Sequence, residues 1–575
     1  LSSDLAEGIN ADVQKQRASE KLRLKELFLK LGRKLQPWEV LALEERGNRS
    51  EDWSKIRVEE KFRPEAYENN YFYGENFLSL QEDSVVIQGQ EQKCLVENCR
   101  FKQCHLERGL SLRQIDWMER VYVSSAVQIW RVSRIEHVTD HWTERMTISV
   151  GSEVQGRALE VIPEIDPFQL QKSLDVVDWK TSFEVCTMDF SVVSGQVRIE
   201  GATMLQNVYL SEGTSIFGAH EIKDVVTLSS LEEQVYIGVG VSARQTFLQW
   251  GCRLDRSAIV EKALLFEQSS VDLQGIVIES CLGSNTHVAK GEITACFVGP
   301  FVGMHHQSLL IGTLWPEGKG NIGYGANVGS NHTGRAPDQE FWAGEGEFFG
   351  LSSSVKFPGN HRNAAFSILA TGVTLPPSKM ELPFSLILQA QNFAGEVQAE
   401  LELIPAWMLL HNRYSLVRSS WKTQSRNKSK RYQFTSHYLN PRSVNSMIKA
   451  LEFLQSLPDK SCYSKEDLPM FPGAMMRREK VQEAMEAYRE ALEFYVSLEK
   501  AEASIKAEIL EKFNISQASA ERMVELKQKE YDLAMESLEK DRKRGKQITP
   551  NYDDFHPKAE LDPCLLQLKQ SILEQ

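Results

Sequence analysis

The chain has 575 residues, 42% of them apolar and 25% charged, an ordinary balance for folded protein and enough length for two to four packed units. Its formal charge of −13 argues against general binding to nucleic acid or to an anionic membrane, both of which would repel such a surface. No run of about 18 apolar residues and no charged-then-apolar leader is present, so neither a membrane span nor export is expected, and a cytoplasmic location with reduced thiols is.

In chain order, residues 1–70 are expected to be mainly helical. The stretch ADVQKQRASEKLRLKELFLKLGRKL (11–35) carries apolar residues at helical spacing, and QPWEVLALEERG (36–47) ends on a C-cap glycine. From 71 to 400 the character changes to short Val/Ile/Leu-rich pieces separated by Gly, Ser, Asn and Asp, with an interruption around 107–190. In CLVENCRFKQCHLERG (94–109), Val96, Phe101 and Leu106 recur every five residues, and Cys94, Cys99 and Cys104 read as small packing residues, not metal ligands. EHVTDHW (136–142) has an H-x-x-D-H order reminiscent of zinc peptidases. That chemistry needs a helix, though, and Val, Thr and Trp favour extended chain, so the match is read as coincidence.

The repeat is plainest from 197 to 273. Ile216, Ile222 and Leu228 are spaced by six, as are Val235, Val241 and Phe247, and Leu254, Val260 and Phe266. The first positions Val197, Ile216, Val235, Leu254 and Leu273 then form a ladder of period nineteen. Such a pattern predicts a β-solenoid in which one apolar side chain per hexad points inward and stacks on its equivalents in neighbouring coils, about 4.8 Å away. Helical crossovers have no room here, which excludes an ordinary α/β sheet. The predicted fold is therefore mainly a β-solenoid, a left-handed parallel β-helix by its hexapeptide period, with α-helical N- and C-terminal extensions.

Within HHQSLLIGTLWPEGKGNIGYGANVGSNHTGR (305–335), IGYGAN and VGSNHT read as two further hexads, whereas HHQSLLIGTLWPEGKG reads as a departure from the repeat with a Pro-Glu-Gly turn. His220 and His287 are read as lone corner histidines. The acidic stretch PDQEFWAGEGEFF (337–349) offers Asp338, Glu340, Glu345 and Glu347 as partners for an imidazolium, with ordinary solvation as the plainer expectation. Residues 401–470 are a connecting region, and its basic patch WKTQSRNKSKRYQ (421–433) is expected to be a solvated loop. Residues 471–575 are expected to form a helical hairpin of 478–513 and 516–544 jointed at Asn514-Ile515-Ser516, its charged faces available to a protein partner or to self-association.

These repeats resemble the hexapeptide solenoids of acyltransferases and of the C-terminal domains of sugar-nucleotide pyrophosphorylases, and ATGVTLPPSKMELPFSLIL (370–388) looks like their closing coil. More specifically, EDWSKIRVEEKF (51–62), ISVGSEVQGRALEVIPEID (148–166), VYIGVGVSARQTFLQWGCRLDRSAIVEKALLF (235–266) and the 305–335 stretch resemble a bacterial family of long hexapeptide-repeat proteins, a domain of unknown function. The Gly-rich nucleotidyl-binding motif of a pyrophosphorylase is not among these stretches. What the resemblance implies is acyl transfer from acetyl-CoA or another acyl-CoA to a sugar or nucleotide sugar, in a homotrimer. In that chemistry a histidine takes the proton of the attacking hydroxyl and backbone N–H groups steady the oxyanion.

His332, fifth in its hexad within a glycine-rich stretch, is the first choice of base, with His306 and His305 behind it. Asn331, Arg335 and Asn327 are the expected substrate contacts. Since successive residues of a strand point to opposite faces, only one of His305 and His306 can face a given cleft. No metal site is expected, because no Cys or carboxylate stands at fixed spacing from these histidines. The alternative is a non-catalytic solenoid scaffold that binds partners through its helical ends.

Overall fold

In a computed structural model the described residues are 3–29, 32–139, 142–154, 156–175, 187–329, 340–391, 399–498, 501–513, 515 and 536. His332, Asn331, Arg335 and Asp338 lie outside them, as do Asp140, His141 and, except for residue 536, the second helix expected over 516–544. The chain is a parallel β-solenoid of about 18 turns over residues 56–387, with helices at both ends. It divides into two compact units. One comprises residues 1–300, 304–312 and 428–433, and the other comprises 301–303, 313–427 and 434–575. Among the described residues, no helix is long and apolar enough to cross a membrane.

In the first unit, helix α1 spans Ser3–Leu27 and α2 spans Pro37–Glu45. Strands begin at Arg33–Lys34, which pairs antiparallel with Arg57–Val58, earlier than a helical region reaching residue 70 implies. Each coil presents three short strands, and the inward side chains form continuous columns. One column is Ile199, Ile216, Ile237, Leu254, Val271 and Val288, and a second is Leu205, Ile222, Ala243, Val260, Val277, Ile293 and Leu310. All are buried, so each coil completes the apolar interior of the next.

The first column corrects the ladder of period nineteen. Its steps are seventeen residues, except for twenty-one between Ile216 and Ile237, where the turn Ser229–Glu232 lengthens one coil. Val197 and Val235 are buried two places before the true positions, and Leu273 sits at a corner with φ 50°. The corners themselves stack. Asn207, Asp224, Gln245, Lys262, Glu279 and Ala295 all take left-handed backbone (φ 44–55°), which bends one strand of each coil into the next.

The expected interruption lies within 138–187. There a hairpin pairs Met146–Val150 with Arg157–Val161, and a short helix α3 (Pro167–Ser173) is capped by the Asp166 side chain. Helix α1 is fixed by buried charge to the segment that interrupts the solenoid, and by a ring contact to a coil. Arg17 bonds Glu144 and Glu164, Lys21 bonds Glu144, and the Arg17 guanidinium lies 4.6 Å over the Tyr209 ring. The segment 428–433 does not behave as a solvated loop. Arg431 reaches Glu267 at 2.6 Å and Glu233 at 2.9 Å and stacks on Trp250 at 3.7 Å, while Tyr432 is buried and donates its hydroxyl to Gln249.

In the second unit the stretch expected to leave the repeat does not leave it. Thr313–Trp315 pairs in parallel with Phe341–Trp342, Asn321–Ile322 pairs with Phe348–Phe349, and Leu314 and Trp315 are buried. The apolar residues of that stretch are strand residues, joined by bends at His306–Gln307 and Gly312 and by the turn Pro316-Glu317-Gly318, closed by the Gly318 N–H donating to Trp315 O. The column Ile322, Phe349, Leu369 and Ile387 ends at Leu386–Gln389, where an antiparallel partner, Leu401–Ile404, terminates the stacking, as the closing-coil likeness implied.

Helices α4 (Trp407–His411), α5 (Arg413–Arg426), α6 (Pro441–Gln455), α7 (Arg478–Ser497) and α8 (Ala503–Phe513) follow. The helix expected to run unbroken from 478 to 513 stops at Leu498, whose backbone is extended (φ −71°, ψ 134°). The apolar stripe of α7 is buried within this unit, and its Tyr488 hydroxyl donates to Pro383 O at 2.6 Å, so that stripe is not a free partner surface.

Candidate functional site

The parallel register of the first unit builds the site on one outer face of the solenoid. Tyr236 lies beside Arg253, Arg253 beside Ser270, and Ser270 beside His287, each one coil further along. Strand alternation sends Ile237, Leu254, Val271 and Val288 inward, so their neighbours in this column point out. The column therefore follows from the same spacing that fills the core.

Ser270 Oγ lies 2.6 Å from His287 Nδ1. The His287 ring is 5.0 Å from that of His305, centroid to centroid, and His305 is 6.4 Å from His306 at 77°. Both His305 and His306 are exposed; they lie on the corner that follows the strand Gly303–Met304, so the strand alternation expected of them does not apply. Partial burial pulls the His287 imidazolium below the ordinary histidine range; the nearby Asp272 carboxylate opposes that shift, and the Arg256 guanidinium adds to it. His287 is thus neutral at pH 7. In the tautomer whose Nδ1–H donates to Ser270 Oγ, Nε2 carries a lone pair and can accept a proton.

Two arginines stand on the same face, Arg253 in the column beside Ser270 and Arg256 near enough to His287 to perturb it. Arg256 Nε donates to Asp272 Oδ1 at 2.7 Å, with a second bond to Oδ2, and Arg253 pairs with Asp255 at 2.5 Å while its guanidinium lies 4.0 Å over Tyr236. Both guanidinium side chains are about half exposed, with the two aspartates beneath them almost covered. Each arginine is held in place and keeps N–H donors for an anion. Gly238 makes room for this arrangement, since a Cβ there would run into Asp255 Oδ1.

Of the residues expected from the sequence, His305 and His306 belong to this face. Asn327 lies in the second unit, on the strand Asn327–Val328, where its backbone N–H donates to Ser353 O. His332, Asn331 and Arg335 are outside the described residues. His287, expected to be a lone corner histidine, instead begins the strand His287–Ala289 and has Ser270 as its partner, and Ser270 was not singled out by sequence reasoning. The signal was their separation of seventeen, the length of a coil, with His305 eighteen further on.

A second constellation looks more catalytic and is less so. In the second unit His361 Nδ1 lies 2.7 Å from Glu347 Oε1, and His361 Nε2 lies 3.0 Å from Ser378 Oγ, a Ser-His-Glu order. His361 and Glu347 are completely buried, however, with the imidazole edge-on to Phe341 at 5.0 Å, and Glu347 also accepts from the Gly344 N–H. The acidic stretch thus does supply a partner for an imidazole, but inside the core. Glu345 is buried as well, paired with Lys319 at 2.5 Å and bonded by Asn440.

Cys94, Cys99 and Cys104 are packing groups, all three buried. Cys99 and Cys104 are buried and free, with burial pushing both thiols up to about 12. His137 of EHVTDHW is buried near Ser191, and no group of three or more His, Cys, Asp or Glu suited to a metal occurs among the described residues.

A model for a domain of unknown function, DUF4954, matches residues 32–458, well over half of the chain. The chain belongs to the DUF4954 family. It is also 24% identical over 483 residues to an uncharacterized protein of Treponema pallidum (strain Nichols), a match covering 76% of this chain and 64% of that protein. This DUF4954 chain therefore spans less than two thirds of the length of that relative. The expected membership of an uncharacterised family of β-solenoid proteins agrees with these matches, which carry no reaction with them.

Proposed function

We propose that this DUF4954 solenoid transfers an acyl group from acetyl-CoA or another acyl-CoA to a hydroxyl of a sugar or nucleotide sugar, with His287 as general base. The observation that carries this reading is the Ser270–His287 pair, an oriented imidazole, neutral at pH 7, on an open face beside two arginines. His287 Nε2 takes the proton of the acceptor hydroxyl as its oxygen attacks the thioester carbonyl. The C–S bond then breaks, and the leaving thiolate takes that proton from the imidazolium. Arg253 and Arg256 would receive a phosphate of the donor or acceptor, and His305 stands next to the base. A homotrimer belongs to the same reading.

Turnover of acetyl-CoA against a panel of sugars and nucleotide sugars tests it. His287→Gln should lower turnover by about 10²–10⁴-fold with an unchanged melting temperature, and Ser270→Ala should shift the pH profile. Turnover that survives His287→Gln removes His287 as the base. Nucleotide-sugar binding without turnover in the wild type replaces the enzyme with a binding scaffold.

A further inference from the structure

The second unit contains an apolar cavity of about 260 Å³ that the reading above does not use. Its walls are Met380 and Leu382 from the last coil, Leu403, Ala450 from α6, and Phe471, all of them buried. The covering segment is held to the coil by the Lys379 N–H donating to Met470 O at 2.8 Å. At the rim, Phe453 and Met470 expose 37% and 49% of their surface, which is a large apolar area to leave in water beside a concave site.

The charges around this cavity are all at its mouth. Lys379 pairs with Glu381 at 2.7 Å, whereas Lys449, exposed on α6, has no ion pair among the described residues. Besides the charges, Asn363 and Ser446 are the polar residues of the lining, too few to replace the water that the many hydroxyls and phosphates of a sugar or nucleotide would lose. The same arrangement fits a ligand with one anionic head and an unbroken hydrocarbon body. The methionine and leucine walls adapt to a flexible chain.

We infer that this cavity binds the alkyl chain of a medium-chain fatty acid, with the carboxylate at Lys449. If a methylene fills about the volume of a water molecule, roughly 30 Å³, the cavity holds about eight or nine carbons. Binding here is independent of acyl transfer at His287, so either can fail without the other.

Calorimetric titration of the full chain with hexanoate, octanoate, decanoate, dodecanoate and 1-octanol tests the inference. Affinity should rise about fourfold per methylene and level off near nine carbons, and octanoate should bind more tightly than octanol. Lys449→Glu, at an exposed position, should remove the preference for the acid over the alcohol. Ala450→Trp should fill the cavity and abolish binding. The inference is overturned if octanoate and decanoate give no saturable binding, if affinity keeps rising past dodecanoate, or if folded Ala450→Trp binds as the wild type does.

Discussion

Replacing His361 by Leu separates a buried structural network from a hidden active site. The substitution keeps an apolar side chain of similar bulk against Phe341 but removes a hydrogen-bond partner of the Glu347 carboxyl, which has no exposed surface and keeps the Gly344 N–H at 2.8 Å. Leaving a buried polar group without its partner costs about 1–3 kcal/mol. Ser378 also loses its partner at 3.0 Å, worth about 1 kcal/mol. His361→Leu should therefore lose about 2–4 kcal/mol in urea unfolding followed by tryptophan fluorescence. Glu347→Leu combined with His361→Leu should recover part of that loss, since no unpartnered carboxyl remains. A single mutant within about 1 kcal/mol of the wild type would refute the structural assignment. So would a loss of turnover at unchanged stability, which would move the active site to Ser378.

His137 should make the protein acid-sensitive. Burial, with Arg120 nearby, lowers its imidazole to about 4, so the folded state binds fewer protons than the unfolded state between that value and about 6.5. This contribution is fully present above pH 6.5 and is lost as the pH falls towards 4, amounting to at most about 3 kcal/mol, and His137→Gln should flatten it in denaturant melts taken from pH 7.5 to 4.5. In the proposed reaction, His287 sits below the ordinary histidine range, so the acidic limb of kcat/KM should lie below pH 6.5 and move with Ser270→Ala. With Ellman's reagent Cys462, which is partly exposed, should react well before Cys94, Cys99, Cys104, Cys252, Cys281 and Cys296, which become accessible only on unfolding. Arg431→Ala should cost about 3–5 kcal/mol, because Glu267 beneath it is fully buried, and tryptophan emission from Trp250 should change with it.

The solenoid was legible because its energetics are periodic. One inward aliphatic per strand must recur wherever a coil repeats, so Ile216, Ile222 and Leu228 announced three faces before any contact was known. The exact period was not legible. One coil of twenty-one residues and one of seventeen place Ile216 and Leu254 thirty-eight apart, which two steps of nineteen mimic. Nothing in Ser229–Glu232 marks it as an extra loop, because turn composition also fills ordinary corners. The helix break at Leu498 was hidden for a related reason: Glu and Lys continue a helical pattern on either side of a stop made by backbone conformation. Arg431 was misread because the solvation of a basic run depends on which carboxylates fold beneath it, and Glu233 and Glu267 are distant in sequence.

The candidate site was half legible, and the register explains which half. His305 and His306 drew attention as a pair, but they lie together on a corner after the strand Gly303–Met304, and their chemistry depends on what stands one coil away. In a solenoid that neighbour sits one coil length along the chain, so a histidine is best judged against residues sixteen to eighteen positions before it. By that rule His287 meets Ser270 and His305 meets His287, whereas His361 meets Ala343 by position and finds its carboxylate, Glu347, fourteen residues back across a corner. Outer columns of stacked polar residues and inner columns broken by a buried pair are thus different patterns in the same sequence. The first leaves an imidazole nitrogen facing water beside guanidinium donors; the second consumes both nitrogens in the core. Only the first can meet a substrate, which is why the open Ser270–His287 pair, despite its simpler geometry, is the stronger candidate for catalysis.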